Sequence, residues 1–380
     1  MKKFANLLTL CFLALVSTDY VKADNSSTTS GSKLYADHCA SCHGEKRMGK
    51  MGPALLPQNL ARLRKKAATD VVTNGRVATQ MPAFKTQLSQ NDIKQIINFI
   101  YLKPKKMPNW TDADIKKSRK DRVDVTTLSD QPQFKADPWN IFLVVESGDH
   151  HVTMLDGDTF KVISRFKSHY ALHGGPKFTR DGRFVFFASR DGWISKYDLY
   201  NMTYVAEVRA GINTRNIAIS DDGKYVAVAN YWPESLIILN GSDLSLIKSI
   251  PARSLKGQSS RISAVYNARP RKSFVVALKD VPEIWEVPYS KDAEPQLTQL
   301  VHDYRKDSGE LGDLKSGFLQ PIHIKTDAIL DDFFFSPDYR EVIGAARPLD
   351  SGRKGKIKNG QVIQLDVRRK IADLDLPGMP

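Results

Sequence analysis

The chain has 380 residues, a formal net charge of +14 and 41% hydrophobic residues. So basic a chain could bind nucleic acid, but no helix or loop interleaves aromatic with basic residues to read bases, which excludes that class. The basic residues are scattered in short groups along the sequence. We interpret them as a solvated surface, or as charges that steer an acidic redox partner or an anionic ligand.

The first 23 residues are typical of a secretory signal peptide. Two lysines open the segment, an apolar run extends from Leu7 to Val16, and Val21-Lys22-Ala23 supplies a small-x-small cleavage site. The run is too short to cross a bilayer core of ~30 Å comfortably, so an uncleaved anchor is the weaker alternative. We expect cleavage after Ala23 and a periplasmic protein. Cleavage removes three lysines and one aspartate, which changes the charge from +14 to +12, and it removes Cys11.

Cys39-Ala40-Ser41-Cys42-His43 matches the C-x-x-C-H attachment motif of a c-type haem. The two thiols add across the haem vinyl groups, and the adjacent imidazole is then placed beneath the iron as its proximal ligand. A thioredoxin-like pair would not require His43, and a zinc site would require a second cysteine pair that the sequence lacks. Because c-type haem is attached outside the cytoplasm, the motif agrees with the signal peptide. We therefore predict one covalent haem c held by Cys39, Cys42 and His43.

An electron-transfer haem needs a second axial ligand, and a thioether raises its reduction potential. Met81 lies at the downstream distance that small cytochromes c use, and Pro82 behind it stiffens the loop. Met48 and Met51 are rivals, but their Lys- and Gly-rich surroundings indicate a mobile surface loop. We predict that Met81 is the sixth ligand of the haem c iron.

The N-terminal part of the mature chain divides into three segments. Residues 24–32 are polar and rich in Ser and Thr, which favours a flexible lead. Residues 33–102 are predicted to form a small all-α cytochrome c domain. Residues 103–135 are charged, with few apolar positions, and we interpret them as a linker.

Two helices define the predicted cytochrome domain. The first carries Leu34, Tyr35 and the haem cysteines. The second begins at the capping box Ser89-Gln90-Asn91-Asp92, and its isoleucines follow at helical spacing. We expect this last helix to pack across the first one and to end before Pro104.

From Trp139 onward the sequence changes to short strands separated by turns, and the pattern repeats. Asp181-Gly182 and Asp222-Gly223 each precede a run of β-branched and aromatic residues, which is typical of hairpins. The two aspartates are 41 residues apart, the repeat length of a propeller blade. A β-sandwich would not produce this period. We therefore predict that residues 136–380 form an all-β propeller.

Five to six blades of ~40–45 residues fit into residues 136–380. A propeller closes by pairing its last blade with its first, and the sequence stops just after a strand, in Leu376-Pro377-Gly378-Met379-Pro380. We expect the propeller to be incomplete here, with its C-terminal blades missing.

The chain resembles the cytochrome cd1 family from about Ser32 to Pro380. The resemblance is carried by the c-type domain fused to a propeller, by Tyr170-Ala171-Leu172-His173-Gly174-Gly175 before one blade, and by Ala229-Asn230-Tyr231-Trp232-Pro233 in the next. In that family an eight-bladed propeller holds haem d1 on its axis. The resemblance implies that His173 is the proximal ligand of the haem d1 iron, whereas the residues alone favour an ordinary loop histidine.

The resemblance also implies a clamp for the carboxylates of haem d1. Buried carboxylates require paired guanidinium groups, and Arg190 and Arg215 match family arginines. The alternative for each is an ordinary turn or surface charge. Ser147 stands where nitrite reductases of the family carry another arginine, so part of the pocket differs.

The sharpest departure from the nitrite reductases is expected at Lys279 and Val281. We align these positions with a His-x-His of the reductases, in which one histidine protonates nitrite. A lysine has a pKa near 10.4 and valine cannot donate a proton, so nitrite reduction is disfavoured. The remaining motifs are closer to the NirN-type branch, which is similar to the reductases but oxidises dihydro-haem d1 by converting a propionate to an acrylate.

The resemblance therefore implies a periplasmic oxidoreductase of haem d1 biosynthesis, linked to denitrification. Haem c would pass electrons to a periplasmic acceptor, and a cd1 nitrite reductase is a candidate recipient of the haem d1. The alternatives are a nitrite reductase and a non-enzymatic haem d1 carrier. The sequence does not identify the oligomeric state or the catalytic base. One possibility is that the base, or a second ligand of the haem d1 iron, lies beyond residue 380. The histidines left as candidates are His302 and His323 and, more weakly, His150, His151 and His169.

Overall fold

A computed structural model describes residues 25–61, 63–77, 79–297, 314–347 and 360–375. The predicted signal peptide lies outside these residues. Within the described ranges, no helix combines the length and apolar character that a membrane crossing requires.

Five helices form the N-terminal domain in the described residues, which agrees with the predicted all-α fold. They are α1 Asn25–His38, α2 Ala40–His43, α3 Pro57–Leu60, α4 Lys65–Asn74 and α5 Gln90–Tyr101. Helix α5 begins at the expected capping box, in which Ser89 and Asp92 each bond the other's backbone N–H. Its four isoleucines are buried against Tyr35 of α1, which confirms the predicted packing of the last helix on the first.

Helix α1 starts earlier than the composition suggested. Residues 25–32, expected to be a flexible lead, form its first two turns. Gly31 lies against α5, where a Cβ would come within 2.6 Å of the Gln95 carbonyl oxygen. The two helices can cross this closely only because position 31 lacks a side chain, and that contact orders a segment whose own residues favour disorder.

The segment expected to be a linker is fastened to the propeller. It contains helix α6 Asp112–Ser118, strand β1 Lys120–Asp121 and a 3₁₀ turn at Val125–Thr127. Ile115 of α6 is buried in the core between two blades, and the Trp110 indole donates a hydrogen bond to the Arg209 carbonyl at 2.8 Å. Few apolar residues are enough to hold this segment on the propeller, because each packs into a core that the blades already form.

Antiparallel sheets make up the rest of the described chain, and five of them are blades. Blade 1 consists of β2 Ile141–Glu146, β3 His151–Asp156 and β4 Val162–Lys167, and blade 2 consists of β5 Lys177–Phe178, β6 Phe184–Ala188, β7 Trp193–Asp198 and β8 Thr203–Arg209, with β1 on its outer edge. Blade 3 consists of β9 Asn213–Ile219, β10 Tyr225–Trp232, β11 Ser235–Asn240 and β12 Leu246–Pro251, and blade 4 consists of β13 Ile262–Ala268, β14 Ser273–Leu278, β15 Glu283–Pro288 and β18 Ile322–Lys325, with a hairpin of β16 Gln296–Leu297 and β17 Leu314–Lys315. Blade 5 consists of β19 Ile329–Phe335, β20 Glu341–Arg347, β21 Gly360–Gln364 and β22 Arg369–Leu374.

The hydrophobic core lies between neighbouring blades. Along β2, Ile141, Leu143 and Val145 pack against blade 2, whereas Phe142 and Val144 point the other way and are exposed. Similar clusters join blade 2 to 3, 3 to 4 and 4 to 5. This stacking of sheets through alternating residues confirms the propeller prediction.

The strand directions give the propeller two distinct ends. The inner strands β9, β13 and β19 begin at one end, and the second strands of the same blades return to it. We call this end the upper face. The predicted Asp-Gly hairpin turns at 181–182 and 222–223 lie at the opposite end, and both glycines have a positive φ.

Candidate functional site

The haem-attachment motif lies where α1 passes into α2. Cys39 is buried and Cys42 is half-buried, and the two cysteines lie on either side of the turn that leads to His43. The buried His43 ring is held by a 2.7 Å hydrogen bond between Nδ1 and the Pro53 carbonyl oxygen. That bond occupies Nδ1 and leaves Nε2 as the nitrogen that can bind iron.

The space around His43 fits a haem. Gly52 lies so close to the ring that a Cβ there would be 2.6 Å from His43 Cε1. Leu55, Leu63 and Met81 border the domain core but remain only half-buried in the protein alone. Apolar side chains in this position offer a haem the hydrophobic contacts that it needs. The residues present therefore fit haem c, with Met81 available as the second axial ligand.

Met48 has a different environment from the one expected. The loop that carries it is not a free surface loop but a contact with the propeller, because the Met48 side chain packs with Ile212 and Trp232. Its carbonyl oxygen accepts a 2.9 Å hydrogen bond from Arg209. This contact occupies Met48 at the domain interface and favours Met81 as the ligand.

Arg47 is a structural residue that sequence reasoning missed. Its buried guanidinium donates to the carbonyl oxygens of Phe99, Ile100 and Leu102 at 2.8 to 3.1 Å, which satisfies the end of α5. It also lies 4.8 Å from the Phe99 ring. Arg47 thus ties the haem loop to the last helix, whereas its sequence neighbours suggest only a surface charge.

His173 lies at the upper face, immediately before inner strand β5. Its backbone N–H donates to Ala188 at the end of β6, and its Nδ1 is 2.9 Å from the Arg215 carbonyl oxygen on β9. As in His43, a carbonyl partner at Nδ1 leaves Nε2 available to a metal. Two blades therefore fix the orientation of this imidazole.

Arg190 and Arg215 both act on His173. The Arg215 guanidinium contacts Nε2 of the imidazole directly, and the backbone of Arg190 bonds to Ala171 and Thr214 on either side. Burial, followed by the charges of Arg190 and Arg215, lowers the pKa of His173 to about 4. The imidazole is therefore neutral near pH 7 and able to ligate iron. Cations next to the nitrogen predicted to bind iron fit a metal complex that carries carboxylates.

Lys279 and Val281 occupy different environments. Lys279 is buried in an ion pair with Asp331 of blade 5, and its Nζ lies 5.4 Å from the Tyr231 ring centre. Val281 is buried in the core between blades 3 and 4. The Val281 side chain therefore points into the blade interface, and neither position offers a free proton donor of the kind expected in a nitrite reductase.

Of the other candidate histidines in the described residues, three have polar partners, whereas the buried Nδ1 of His150 has no hydrogen-bond partner. His323 lies on the outermost strand of blade 4 and contacts Glu283 at 3.0 Å and Trp285 at 3.1 Å. His169 contacts Glu207 at 2.6 Å, His151 lies 3.4 Å from Asp149, and His150 packs edge-on against Tyr170. His302 lies outside the described residues.

The two haem-type sites share one end of the molecule. The cytochrome domain meets the upper face where Leu56 packs with Ile212 and Trp232 at the top of blade 3, and where Gly49 approaches Asp191 of blade 2. Arg209 joins both sides by bonding to the carbonyl oxygens of Met48 and Asp191 at 2.9 and 2.8 Å. His173 and Arg190 belong to the same upper face. An electron released there would therefore leave the propeller on the side that the cytochrome domain covers.

Comparison with known families and proteins agrees with this architecture. Residues 136–314 match the family described as cytochrome D1 heme domain, and residues 26–100 match cytochrome C oxidase, cbb3-type, subunit III. The chain is 48% identical over 351 residues to dihydro-heme d1 dehydrogenase of Pseudomonas aeruginosa, covering 92% of the chain and 64% of that protein. Nitrite reductase of Stutzerimonas stutzeri is 28% identical, over 67% of the chain and 48% of that protein.

A solved structure is similar over the same range. It is described as dihydro-heme d1 dehydrogenase NirN in complex with DHE and superposes with a TM-score of 0.77 at 48% identity, covering 92% of this chain and 68% of that chain. The present chain spans less than two thirds of the length of the Pseudomonas aeruginosa relative. With a c-type domain joined to a haem d1-type propeller and this degree of identity, the chain belongs to the cytochrome cd1 family.

Proposed function

We propose that this protein oxidises dihydro-haem d1 to haem d1, and that the electrons leave through haem c. The observation that carries the proposal is the placement of both sites on one face: His173 with its two arginines on the propeller, and the His43 domain docked beside them. The identity to dihydro-heme d1 dehydrogenase over most of the chain supports it.

In this proposal, each side chain of the site has a distinct role in binding the substrate. His173 holds the iron of the substrate through Nε2, and Arg215 moves off that nitrogen to pair with a carboxylate. Arg190 supplies a second cation, so the macrocycle is fixed in one orientation. Haem c, held by Cys39, Cys42 and His43, would supply a one-electron acceptor beside this site. Two one-electron transfers are needed, because conversion of a propionate to an acrylate releases two electrons and two protons.

Nitrite reduction is the less favoured activity. Its proton donor would need a pKa near the working pH, and Lys279 is committed to Asp331 in the described residues. A haem d1 carrier would use the same pocket without the cytochrome domain taking part in chemistry. The docked position of that domain therefore favours the enzyme over the carrier.

We place the mature protein in the periplasm, in denitrifying metabolism. The basic, apolar and small-residue regions of residues 1–23 support export, and covalent haem attachment requires it. The partners we propose are a periplasmic one-electron acceptor and a cd1 nitrite reductase that receives the finished haem d1.

A titration with dihydro-haem d1 tests the proposal. The protein is mixed with the substrate and ferricyanide as one-electron acceptor, and the visible spectrum and the mass of the extracted tetrapyrrole are followed. We expect binding and the loss of two mass units. Tight binding without a mass change would leave only the carrier, and turnover of nitrite to nitric oxide at a reductase-like rate would favour the alternative enzyme.

A further inference from the structure

One turn of blade 2 belongs both to the propeller site and to the contact with the cytochrome domain. Residues 189–192 join β6 to β7 at the upper face and include Arg190, the expected partner of a substrate carboxylate. The next residue, Asp191, is buried and lies against the cytochrome domain, because a Cβ on Gly49 would be 3.4 Å from Asp191 Cβ. The clamp residue is therefore one residue away from the contact between the two domains.

The cytochrome side of this contact is the loop that follows His43. We call residues 44–56 the haem loop. The Gly49 N–H donates to the His43 carbonyl oxygen at 3.0 Å, and Gly49 has a φ of +83°, which residues with a side chain rarely adopt. The haem loop is thus tied to the backbone of the residue predicted to bind the haem c iron.

Arg209, at the end of β8, bridges the haem loop and the turn of blade 2. Its Nη2 donates to the Met48 carbonyl oxygen at 2.9 Å, and its Nε donates to the Asp191 carbonyl oxygen at 2.8 Å. One guanidinium therefore connects the residue before Gly49 to the residue after Arg190.

The Trp110 ring supports this guanidinium. Arg209 Cζ lies 4.8 Å from the ring centre, and the indole N–H donates to the Arg209 carbonyl oxygen at 2.8 Å. A planar guanidinium can stack on a ring and donate from two nitrogens in fixed directions, which a lysine ammonium cannot do. The bridge therefore depends on an arginine and not on a positive charge alone.

The apolar contacts of the haem loop do not fix a direction. Leu56 and Met48 pack with Ile212 and Trp232, and such contacts tolerate sliding because the hydrophobic effect is non-directional. Hydrogen bonds to two backbone carbonyl oxygens, by contrast, have preferred distances and angles. The register of the haem loop on blade 2 is therefore set by Arg209.

The turn that carries Arg190 has further support within the propeller. The Arg190 N–H and carbonyl oxygen both bond to neighbouring propeller segments, at 3.1 and 3.3 Å. Gly192 lies so close to Gly211 that a Cβ would be 1.9 Å from the Gly211 carbonyl oxygen. A change at Arg209 should thus displace the haem loop and leave the substrate clamp in place.

We propose that Arg209 is a positioning residue for electron transfer: it holds the haem loop at the distance from the substrate clamp at which an electron passes from dihydro-haem d1 to haem c. This inference rests on the proposed function. Each transfer removes one electron from the bound dihydro-haem d1 and reduces the haem c iron from ferric to ferrous. Electron transfer slows steeply as two centres move apart, so a small displacement of the haem loop is enough to limit the rate. Arg209 acts through the backbones of Met48 and Asp191.

Arg209→Lys tests this role, because it keeps the positive charge and most of the stem and removes the two-pronged bridge. Oxidised protein is mixed with dihydro-haem d1 without an external acceptor, and haem c reduction is followed by stopped-flow spectroscopy. We expect reduction to be ~10–100-fold slower, since a displacement of about 1 Å can have a cost of this size. The Kd for dihydro-haem d1, the haem c reduction potential and the rate of haem c reduction by dithionite should remain those of the wild type.

Hydrogen exchange gives a readout that needs no substrate. In the haem c-loaded protein without dihydro-haem d1, Arg209→Lys should speed amide exchange in peptides from the haem loop and leave exchange in α5 unchanged. Trp110→Leu, which removes the ring beneath the guanidinium, should have the same two effects and tests the inference if the lysine variant does not fold. Slower haem c reduction with wild-type exchange in the haem loop would contradict a positioning role.

Arg183→Lys is the matched control. Arg183 lies on the same blade at the opposite end, donates to the Ser129 carbonyl oxygen at 2.9 Å and lies 4.9 Å from the Phe184 ring centre. It therefore also joins the propeller to the preceding segment and stacks on a ring, but it is remote from the haem loop. This variant should reduce haem c at the wild-type rate.

The outcomes separate the inference from the proposed function. A wild-type rate of haem c reduction in Arg209→Lys would overturn the inference and leave the proposed function intact. An equal loss of rate in Arg183→Lys would do the same, because it would indicate general destabilisation. Failure of bound dihydro-haem d1 to reduce haem c in the wild type would instead refute the proposed electron route and the inference with it.

Discussion

The haem c site and the site around His173 differ in how far apart their residues lie in the sequence. Cys39, Cys42, His43 and Pro53 come from one stretch of 15 residues. The groups around His173 come from two blades, with Arg190 in blade 2 and Arg215 in blade 3, and His173 and Arg215 alone delimit 43 residues. The first site needs only a local turn and one short helix, whereas the second exists only when the blades are stacked. We expect the first to tolerate damage to the propeller and the second to fail with it.

The largest expected effect concerns the local site. Cys42→Ala removes one of the two thioether bonds and should sharply lower the yield of covalently attached haem, because only the Cys39 thiol is left to add across a vinyl group. Haem staining after denaturing electrophoresis checks this. As a control, Ser41→Ala changes a solvent-exposed side chain within the same motif and should stain like wild type; equal staining of Cys42→Ala would contradict the assignment of the motif.

The second prediction tests the distributed site. His173→Ala should reduce the rate of dihydro-haem d1 oxidation on the order of 100-fold, because small misplacements of a bound reactant have costs of this size. Covalent haem c should remain unchanged in the same protein. Single-turnover kinetics and the haem c spectrum measure the two effects. Wild-type conversion by this variant would refute the ligand assignment.

A smaller effect is expected for the carboxylate clamp. Arg190→Ala should weaken dihydro-haem d1 binding by about 2 kcal/mol or more if the pair is buried, since one ligand carboxylate loses its partner. Spectral titration gives the change in Kd. Arg180→Ala is the matched control, since Arg180 is exposed near the Asp-Gly turn at the other end of the propeller. Equal affinity of both variants would remove Arg190 from the clamp.

The sixth ligand of haem c can be altered without losing the haem. Met81→Ala should abolish the sulfur-to-iron charge-transfer band of the oxidised protein and lower the reduction potential. Met48→Ala should keep the band, because Met48 packs against the propeller. Survival of the band in Met81→Ala, together with its loss in Met48→Ala, would reverse the assignment.

The smallest predicted effect lies outside both sites, at Glu207. Burial alone would raise the pKa of this carboxyl, but the hydrogen bond from His169 and the charges of His169 and Arg122 lower it to about 2. A lowered folded-state pKa stabilises the fold above the unfolded pKa near 4.3 and loses this contribution as the pH falls towards 2. Glu207→Gln should lose on the order of 1–3 kcal/mol at neutral pH and should show a flatter decline of unfolding free energy between these pH values. An unchanged slope of stability against pH would contradict this role for Glu207.

The sequence by itself determined the features whose causes are local. The spacing of Cys39, Cys42 and His43 specifies haem attachment, the capping box at Ser89 starts α5, and the 41-residue repeat of Asp-Gly turns indicates blades. Each depends on residues within a few turns or one hairpin. The resemblance to a family was needed to select His173, because nothing in its immediate neighbours distinguishes it from a loop histidine.

Only the tertiary structure decided how distant groups meet. It ordered residues 25–32 through the close approach at Gly31, fastened the charged segment around Ile115 to the propeller, and turned Val281 into the core. It also brought Tyr266 to Asp332 across two blades. The physical reason is that inter-blade contacts depend on strand register and on which face each side chain takes, and a one-residue change in register reverses that face.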